Sequence, residues 1–195
     1  MKKIWKALDE DSADSDASHR REKLLSAVIS KMRLLTAQRG AEVMAMEWSE
    51  IDGDWWTIPG EKTKNGLAHR VPLTAPALRI LAEVGSICGG SRYVFQSRKT
   101  KDKPIRNPQK ALERIQKATG IDFVGHDFRR TAASHMTGMG IPRLTVKKIL
   151  NHVERDVTAV YDRYSYDAEK KAALEEWSKR MMSMVSGLKV AQSGA

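Results

Sequence analysis

The spacing of apolar residues between positions 21 and 40 is the first constraint on the fold. Apolar side chains recur there every three or four positions, as on the buried face of an α-helix: Leu24, Leu25, Val28, Ile29, Met32 and Leu35. The pattern predicts a long, well-buried helix that ends near Gly40, and a second short helix is expected through Met46. Other elements must therefore pack around this helix.

A different pattern occupies residues 48–73. Tryptophan and β-branched residues are interrupted there by Asp52-Gly53 and Asn65-Gly66, two pairs that tolerate tight hairpin turns. The segment predicts a small three-stranded antiparallel sheet. Trp55 and Trp56 are expected to anchor this sheet to the helices, and stacking on nucleic-acid bases is the alternative.

Helical patterns return after the sheet and continue to the end of the chain. Glycine or proline separates the segments, which are residues 74–85, 107–120, 126–139, 142–150, 154–164 and 167–188. We therefore predict a mainly α fold with one small three-stranded antiparallel sheet. A chain of 195 residues fits one such domain.

Charge and cysteine content limit the classes of function. The net charge is +10, although residues 9–16 contribute five carboxylates and no base, so the rest of the chain is more basic still. This excess favours a nucleic-acid partner over a merely cationic surface. Cys88 is the only cysteine, which excludes an internal disulfide and a multi-cysteine zinc site. With no signal peptide or membrane-length apolar run, we expect a cytoplasmic protein.

Several residues that could carry chemistry occur in a distinctive order. Arg39 follows the long helix, and HxxR places His126 and Arg129 on one helix face. Tyr161 follows His152 by nine residues. Each feature alone is weak, since an arginine at a helix end commonly just caps carbonyls. The order of arginine, hairpin lysine, HxxR, histidine and tyrosine is more specific.

In this order the chain resembles the catalytic domain of the tyrosine recombinases of the phage integrase type. The resemblance covers roughly residues 21–180 and rests on four segments: LLTAQRGAEVMAMEWSEI, TKNGLAHRVPL, HDFRRTAASHM and LNHVERDVTAVYDRY. It implies the catalytic residues Arg39, Lys64, His126, Arg129, His152 and Tyr161. Ala37 stands where the family commonly has glycine, which we expect only if the backbone there needs no positive φ.

The resemblance also implies the reaction, which is site-specific DNA recombination by a phage or genomic-island integrase. Tyr161 would attack a phosphodiester and form a 3′-phosphotyrosyl intermediate, while two arginines bind the phosphate oxygens. Lys64 would protonate the departing 5′ oxygen. We expect no metal and no cofactor. The implied partners are double-stranded DNA attachment sites, three further protomers in a homotetramer on DNA, and accessory DNA-bending proteins.

Some choices remain open at this point. Lys62 is the alternative to Lys64, and Tyr164 and Tyr166 are alternatives to Tyr161, although Tyr164 is expected on a packing face. Glu42 is interpreted as orienting a cation rather than binding a metal. A type IB topoisomerase and a DNA-binding regulator without catalysis are the alternative functions.

The resemblance finally divides the chain. Residues 1–20 would be the linker or tail of an absent N-terminal DNA-binding domain, residues 21–188 the catalytic domain, and residues 189–195 a disordered tail. The last helix has an apolar stripe that could pack in cis or on a neighbouring protomer. The basic run at residues 98–106 is interpreted equally as a solvated loop or as phosphate contacts. His19, His69 and His135 are expected to be structural or surface residues.

Overall fold

The structure is a computed structural model, and it describes residues 1–13, 17–88, 90–98, 100, 102–152 and 164–187. The described part of the chain has eight α-helices and one small sheet. The helices are α1 (Lys2–Ser12), α2 (Ala17–Thr36), α3 (Gly40–Met44), α4 (Ala75–Cys88), α5 (Gln109–Thr119), α6 (Asp127–Gly138), α7 (Arg143–Ile149) and α8 (Asp167–Ser186). None of the described helices has both the length and the apolar character needed to cross a membrane.

Helix α2 lies at the centre of the fold, as its apolar pattern predicts. It packs against α1, α3, α4, α5, α6 and α8. Its residues Ile29, Met32 and Leu35 have almost no solvent exposure. Because α2 is covered on most sides, the residues that follow it are held firmly in place.

The predicted antiparallel sheet is present and has the order β1-β2-β3. Its strands are β1 (Ile51–Asp52), β2 (Trp55–Ile58) and β3 (His69–Pro72), and Trp56 pairs with Val71. The Trp56 side chain is fully buried and its Nε1 donates to Glu50 Oε2 at 3.0 Å. The fold class is thereby confirmed, since the chain is mainly helical with a small three-stranded sheet.

The predicted helix ends agree with the structure where a local signal fixes them. Helix α5 ends at Gly120, whose φ of +68° is the left-handed conformation that glycine adopts easily. Helix α4, in contrast, continues past Gly85 to Cys88. The helix predicted at residues 154–164 lies almost entirely outside the described residues.

Both ends of the described chain pack into the same core. Leu8 of α1 is 1% exposed, and α1 contacts α2, α5 and α8, so this part of the expected tail is built into the domain core. The stripe of α8 also packs in cis: Leu174, Trp177 and Met181 are fully buried, and Trp177 Nε1 donates to the Leu34 carbonyl at 2.8 Å. Residues 188–195 lie outside the described part of the chain.

The C-terminal end of α7 has all four of its last carbonyl groups hydrogen-bonded. Such carbonyls have no partner within the helix and must find one elsewhere. The Lys147 and Lys148 carbonyls accept the backbone N–H groups of His152 and Asn151, at 3.0 and 3.1 Å. Asn151 has a φ of +47°, so these bonds form a Schellman motif with asparagine in the usual glycine position.

The other two carbonyls of this helix end accept bonds from distant parts of the chain. Gln38 Nε2 lies 2.9 Å from the Ile149 carbonyl, and His69 Nε2 lies 3.0 Å from the same oxygen. Arg129 Nη2 donates to the Leu150 carbonyl. The α2–α3 turn, strand β3 and helix α6 therefore converge on the end of α7.

Ala37 corrects one expectation from the sequence. Its φ is +57°, so the backbone does adopt the left-handed conformation that we expected alanine to exclude. This conformation belongs to the turn between α2 and α3, and the Ala37 carbonyl accepts a hydrogen bond from Arg129 Nη1 at 2.8 Å. The bond to a buried guanidinium offsets the steric cost of alanine there.

We predict that Ala37→Val destabilises the protein by roughly 2 to 4 kcal/mol. A β-branched side chain is strongly disfavoured at positive φ, and Ala37 has no exposed surface into which a larger group could move. Urea unfolding followed by circular dichroism measures the change. Ala37→Gly is the matched control and should stay much closer to the wild type; equal stability of the valine variant would contradict the left-handed backbone.

We also predict that stability falls as the pH is lowered from about 6.5 to about 4, in part because of His69. Burial, followed by the charge of Lys170, lowers the pKa of His69 from 6.5 to about 4. The folded state therefore favours the neutral ring: this contribution is complete above pH 6.5 and is lost as the pH falls towards 4. The shift corresponds to about 3 kcal/mol.

Unfolding free energies measured across this pH range test the role of His69. His69→Gln cannot titrate but can still donate to the Ile149 carbonyl, so its stability should depend less steeply on pH. The control is His19→Gln, because His19 is exposed on α2. A pH profile of His69→Gln equal to that of the wild type would disprove the assignment.

Candidate active site

Arg39 lies in the turn between α2 and α3, at the start of α3. Its Nη1 pairs with Glu42 Oε1 at 2.9 Å, and its backbone N–H donates to the other carboxylate oxygen at 3.0 Å. Glu42 is 3% exposed, whereas the Arg39 side chain is 24% exposed. The buried carboxylate thus holds Arg39 in place, while part of the Arg39 side chain stays accessible to solvent. This arrangement fits the interpretation that Glu42 orients a cation.

Arg129 lies on α6, and its side chain is almost completely buried. It bonds to the Ala37 and Leu150 carbonyls, and its Nη2 is 3.4 Å from His152 Nε2. Burial, with a further contribution from the charge of Arg39, lowers the pKa of Arg129 to about 10, so it remains charged at neutral pH. Its charge is close enough to affect both Arg39 and His152.

His126 and His152 are both exposed at this site. His126 precedes the first turn of α6, and His152 directly follows the Schellman motif of α7. Desolvation, followed by the charge of Arg129, lowers the pKa of each ring. The field of Arg39 also acts on His152. Four of the predicted residues are therefore brought into one strongly cationic cluster: Arg39, His126, Arg129 and His152.

The two candidate lysines have different environments. Lys62 Nζ bonds to Glu47 Oε1 at 2.7 Å, to the Ala45 carbonyl at 3.0 Å and to Glu50. Burial alone would lower the pKa of Lys62, but the bonds to both carboxylates outweigh it and raise that pKa. Lys64 is exposed in the loop between β2 and β3. The arrangement favours Lys64, because Lys62 is already engaged in a structural ion-pair network.

A pair of asparagines connects the lysine loop to the end of α7. Asn65 Nδ2 donates to Asn151 Oδ1 at 2.9 Å, and Asn151 Nδ2 returns a bond to Asn65 Oδ1 at 3.3 Å. Asn65 is adjacent to Lys64, and Asn151 is adjacent to His152. These two bonds place the Lys64 loop beside the turn that carries His152.

Tyr161, the predicted nucleophile, lies outside the described residues, so its role stays a prediction. The expectation for Tyr164 was wrong, because this residue is 58% exposed rather than on a packing face. Its ring instead contacts the ring of Tyr166, with 4.9 Å between the two centroids, directly before the start of α8. The charge of Glu169 raises the pKa of Tyr164, which makes its hydroxyl a poorer nucleophile.

Two further predictions concern metal binding and the basic run at residues 98–106. Within the described ranges, no three histidine, cysteine, aspartate or glutamate side chains cluster as a metal site requires. A backbone hydrogen bond brings two parts of the chain around the basic run 98–106 together, since the Ser97 N–H donates to the Lys103 carbonyl at 2.8 Å. Phosphate contacts by this run stay a prediction.

The sequence did not reveal the residues that assemble the cluster. Hydrogen bonds of Gln38, His69, Asn65 and Asn151 connect the segments that carry Arg39, Lys64 and His152 to one another. Only Asn151 had a local signal, since asparagine just after a helix often adopts positive φ. Chemically, the cluster offers guanidinium and imidazole donors, of which those of Arg39, His126 and His152 lie on side chains that are at least partly exposed, and it fits an anionic ligand such as a phosphate.

Sequence comparison gives a family for this arrangement. The model of the phage integrase family matches residues 2–168. The prophage integrase IntZ of Escherichia coli (strain K12) is 29% identical over 164 residues, which cover 80% of this chain and 40% of that protein. The integrase of Shigella phage Sf6 is 26% identical over 161 residues, covering 80% and 41%. The chain thus spans about two fifths of the length of these relatives.

Solved structures share the fold. The lambda integrase catalytic core has a TM-score of 0.57 at 20% identity, covering 80% of this chain and 89% of that one. The XerH site-specific recombinase bound to its difH substrate has a TM-score of 0.61 at 17% identity, covering 85% and 49%. At these identities the likeness concerns the fold alone. Taken with the match over residues 2–168, it leads to one conclusion: this chain belongs to the phage integrase family.

Proposed function

We propose that this chain is the catalytic part of an integrase that cuts and rejoins DNA at specific sites through a covalent 3′-phosphotyrosyl intermediate. The observation that carries the proposal is the cationic cluster of Arg39, His126, Arg129 and His152, with the exposed Lys64 loop bonded beside it. Membership of the phage integrase family and the names of the relatives support it.

The two arginines would bind the phosphate under attack. A pentacoordinate phosphorus places growing negative charge on its non-bridging oxygens, which guanidinium forks bind better than a point charge does. Arg129 is held rigidly by two carbonyls and Arg39 by Glu42, so neither has to be reorganised during the reaction. His152 adds a donor to the same phosphate.

The reaction exchanges one phosphoester for another. The Tyr161 oxygen bonds to phosphorus as the bond to the 5′ oxygen breaks, and the proton of the tyrosine passes to His126 as general base. The 5′ oxygen takes a proton from Lys64. Because the energy of the broken bond is kept in the phosphotyrosine, a second 5′ hydroxyl can reverse the step and join a new strand.

The partners follow from this reaction. We propose that four protomers act on two double-stranded attachment sites, assisted by proteins that bend DNA, in the cytoplasm of a bacterial host. A structurally similar lambda integrase is a tetramer bound to a Holliday junction. The positive charge of the chain fits the same ligand, since neutralising DNA phosphates releases counterions.

Covalent trapping tests the nucleophile. The protein, within its full-length integrase, is incubated without metal on nicked attachment-site DNA, so that the cut strand diffuses away and the adduct accumulates. We expect a denaturation-resistant protein–DNA adduct that is lost in Tyr161→Phe and kept in Tyr164→Phe. Loss of the adduct in Tyr164→Phe alone would overturn the assignment, and no adduct on any cognate site would favour a binding-only protein.

Replacing the 5′ bridging oxygen by sulfur tests the general acid. A thiolate leaves without being protonated, so the sulfur substrate should restore cleavage to Lys64→Ala. Lys62→Ala is the control, because this lysine supports Glu47 and Glu50 instead and its defect should be equal on both substrates. Rescue of Lys62→Ala but not of Lys64→Ala would reverse the two roles.

A further inference from the structure

Arg33 is a buried cation that the reaction described above does not use. It lies on α2, six residues before Arg39, and its side chain is only 7% exposed. Within the part of the chain that the structure describes, its guanidinium forms no hydrogen bond and no ion pair, and its Nε is buried without an acceptor. Arg39, in contrast, pairs with Glu42.

An unpaired charge in this environment is unfavourable. Burial lowers the pKa of Arg33 to about 10, which still leaves it charged at neutral pH. The Arg33 guanidinium does make a cation–π contact with the ring of Phe128, whose centroid is 5.5 Å from Arg33 Cζ. A cation–π contact recovers only part of the hydration that a buried guanidinium loses. A buried charge without a counter-ion is a feature typical of functional sites.

Two glycines show where the guanidinium lies. A Cβ added at Gly40 would lie 2.9 Å from Arg33 Cζ, and a Cβ added at Gly125 would lie 2.5 Å from Arg33 Nη1. Gly40 directly follows Arg39, and Gly125 directly precedes His126. The guanidinium therefore occupies the space between the two backbone segments that carry these predicted catalytic residues.

The charges around this position favour an anion. Arg33 is among the cations that lower the pKa of His126, together with Arg129 and Arg130. The N-terminal end of α6 adds the partial positive charge of its helix dipole. Asp127, in the first turn of α6, accepts a bond from the Val124 N–H at 2.8 Å and pairs with Arg130.

We propose that Arg33 is a third phosphate-binding guanidinium of this site and donates to a backbone phosphate of the bound DNA strand, next to the phosphate held by Arg39 and Arg129. The missing counter-ion of Arg33 is then supplied by the ligand. This inference rests on the proposed function in taking DNA as that ligand. It does not require Tyr161 or Lys64 to have their proposed roles.

The test compares stability and DNA binding in one variant, Arg33→Met, made in full-length protein with Tyr161→Phe to prevent cleavage. Without DNA, the variant should melt at a higher temperature, because methionine fills the site without burying a charge. Its affinity for a short duplex of arbitrary sequence should fall roughly tenfold, as expected for one lost charge-assisted bond. The slope of log affinity against log salt concentration should become shallower by about one.

The matched control is Arg79→Met, which removes the same group from an exposed position on α4. A loss of affinity in Arg33→Met no larger than in Arg79→Met would reduce the effect to net charge and overturn the proposal. A lower melting temperature with unchanged affinity would also overturn it, since Arg33 would then be a structural residue.

A second variant covers the case in which Arg33→Met does not fold. Gly125→Ala keeps the arginine but places a methyl group 2.5 Å from the present position of Nη1, so the guanidinium must shift and duplex binding should also weaken. Unchanged binding by this variant would contradict the proposal. If no adduct forms but Arg33→Met binds DNA more weakly, the proposed reaction is disproved and the phosphate contact of Arg33 stands. If the adduct forms but Arg33→Met binds as well as the control, the reaction stands and the phosphate contact is disproved.

Discussion

The carbonyl groups at the C-terminal end of α7, which have no partner within the helix, are the constraint on which the arrangement of the site depends. A helix end inside a protein needs hydrogen-bond donors, and here they come from three places that are far apart in sequence: Gln38, His69 and Arg129. Each donor belongs to a segment that also carries or adjoins a predicted site residue. Satisfying the backbone of one short helix therefore brings Arg39, Arg129 and His152 together before any ligand is present, which is the preorganisation that phosphoryl transfer chemistry requires.

Arg129 has a structural role in holding two backbone segments together and a proposed role in binding a ligand. Two of its donors bond to the Ala37 carbonyl and to the end of α7, and in the proposed reaction its charge and its other N–H groups would bind the phosphate. Lysine could not substitute for it, because a single ammonium group cannot span both carbonyls in a fixed plane. A structural role and the proposed binding role would thus constrain the same nearly fully buried side chain.

The sequence predicted the parts of this molecule that follow from local periodicity and turn chemistry. The buried α2, the three strands and the glycine that ends α5 all had signals within a few residues. The order of the motifs pointed to Arg39, His126, Arg129 and His152, which the structure brings near one another, and also to Tyr161, which lies outside the described residues. It could not predict Gln38 at α7, the left-handed Ala37 or the unpaired Arg33, because each depends on contacts between segments distant along the chain. Tertiary contacts decided those positions, and no single-residue propensity encodes them.

The Asn65–Asn151 amide pair connects the loop that carries Lys64 to the turn that carries His152. In the proposed reaction, bond making at phosphorus would depend on the turn of His152, and bond breaking on a proton carried by the neighbouring Lys64 loop. Because side-chain amides bind only over a narrow range of distance and angle, the loop cannot swing away without giving up its bonds to that turn. If Lys64 has its proposed role, a displaced loop would leave the site without the proton that the 5′ oxygen needs. The two asparagines would then couple strand cleavage to an intact turn at His152, which the proposed rejoining step also uses.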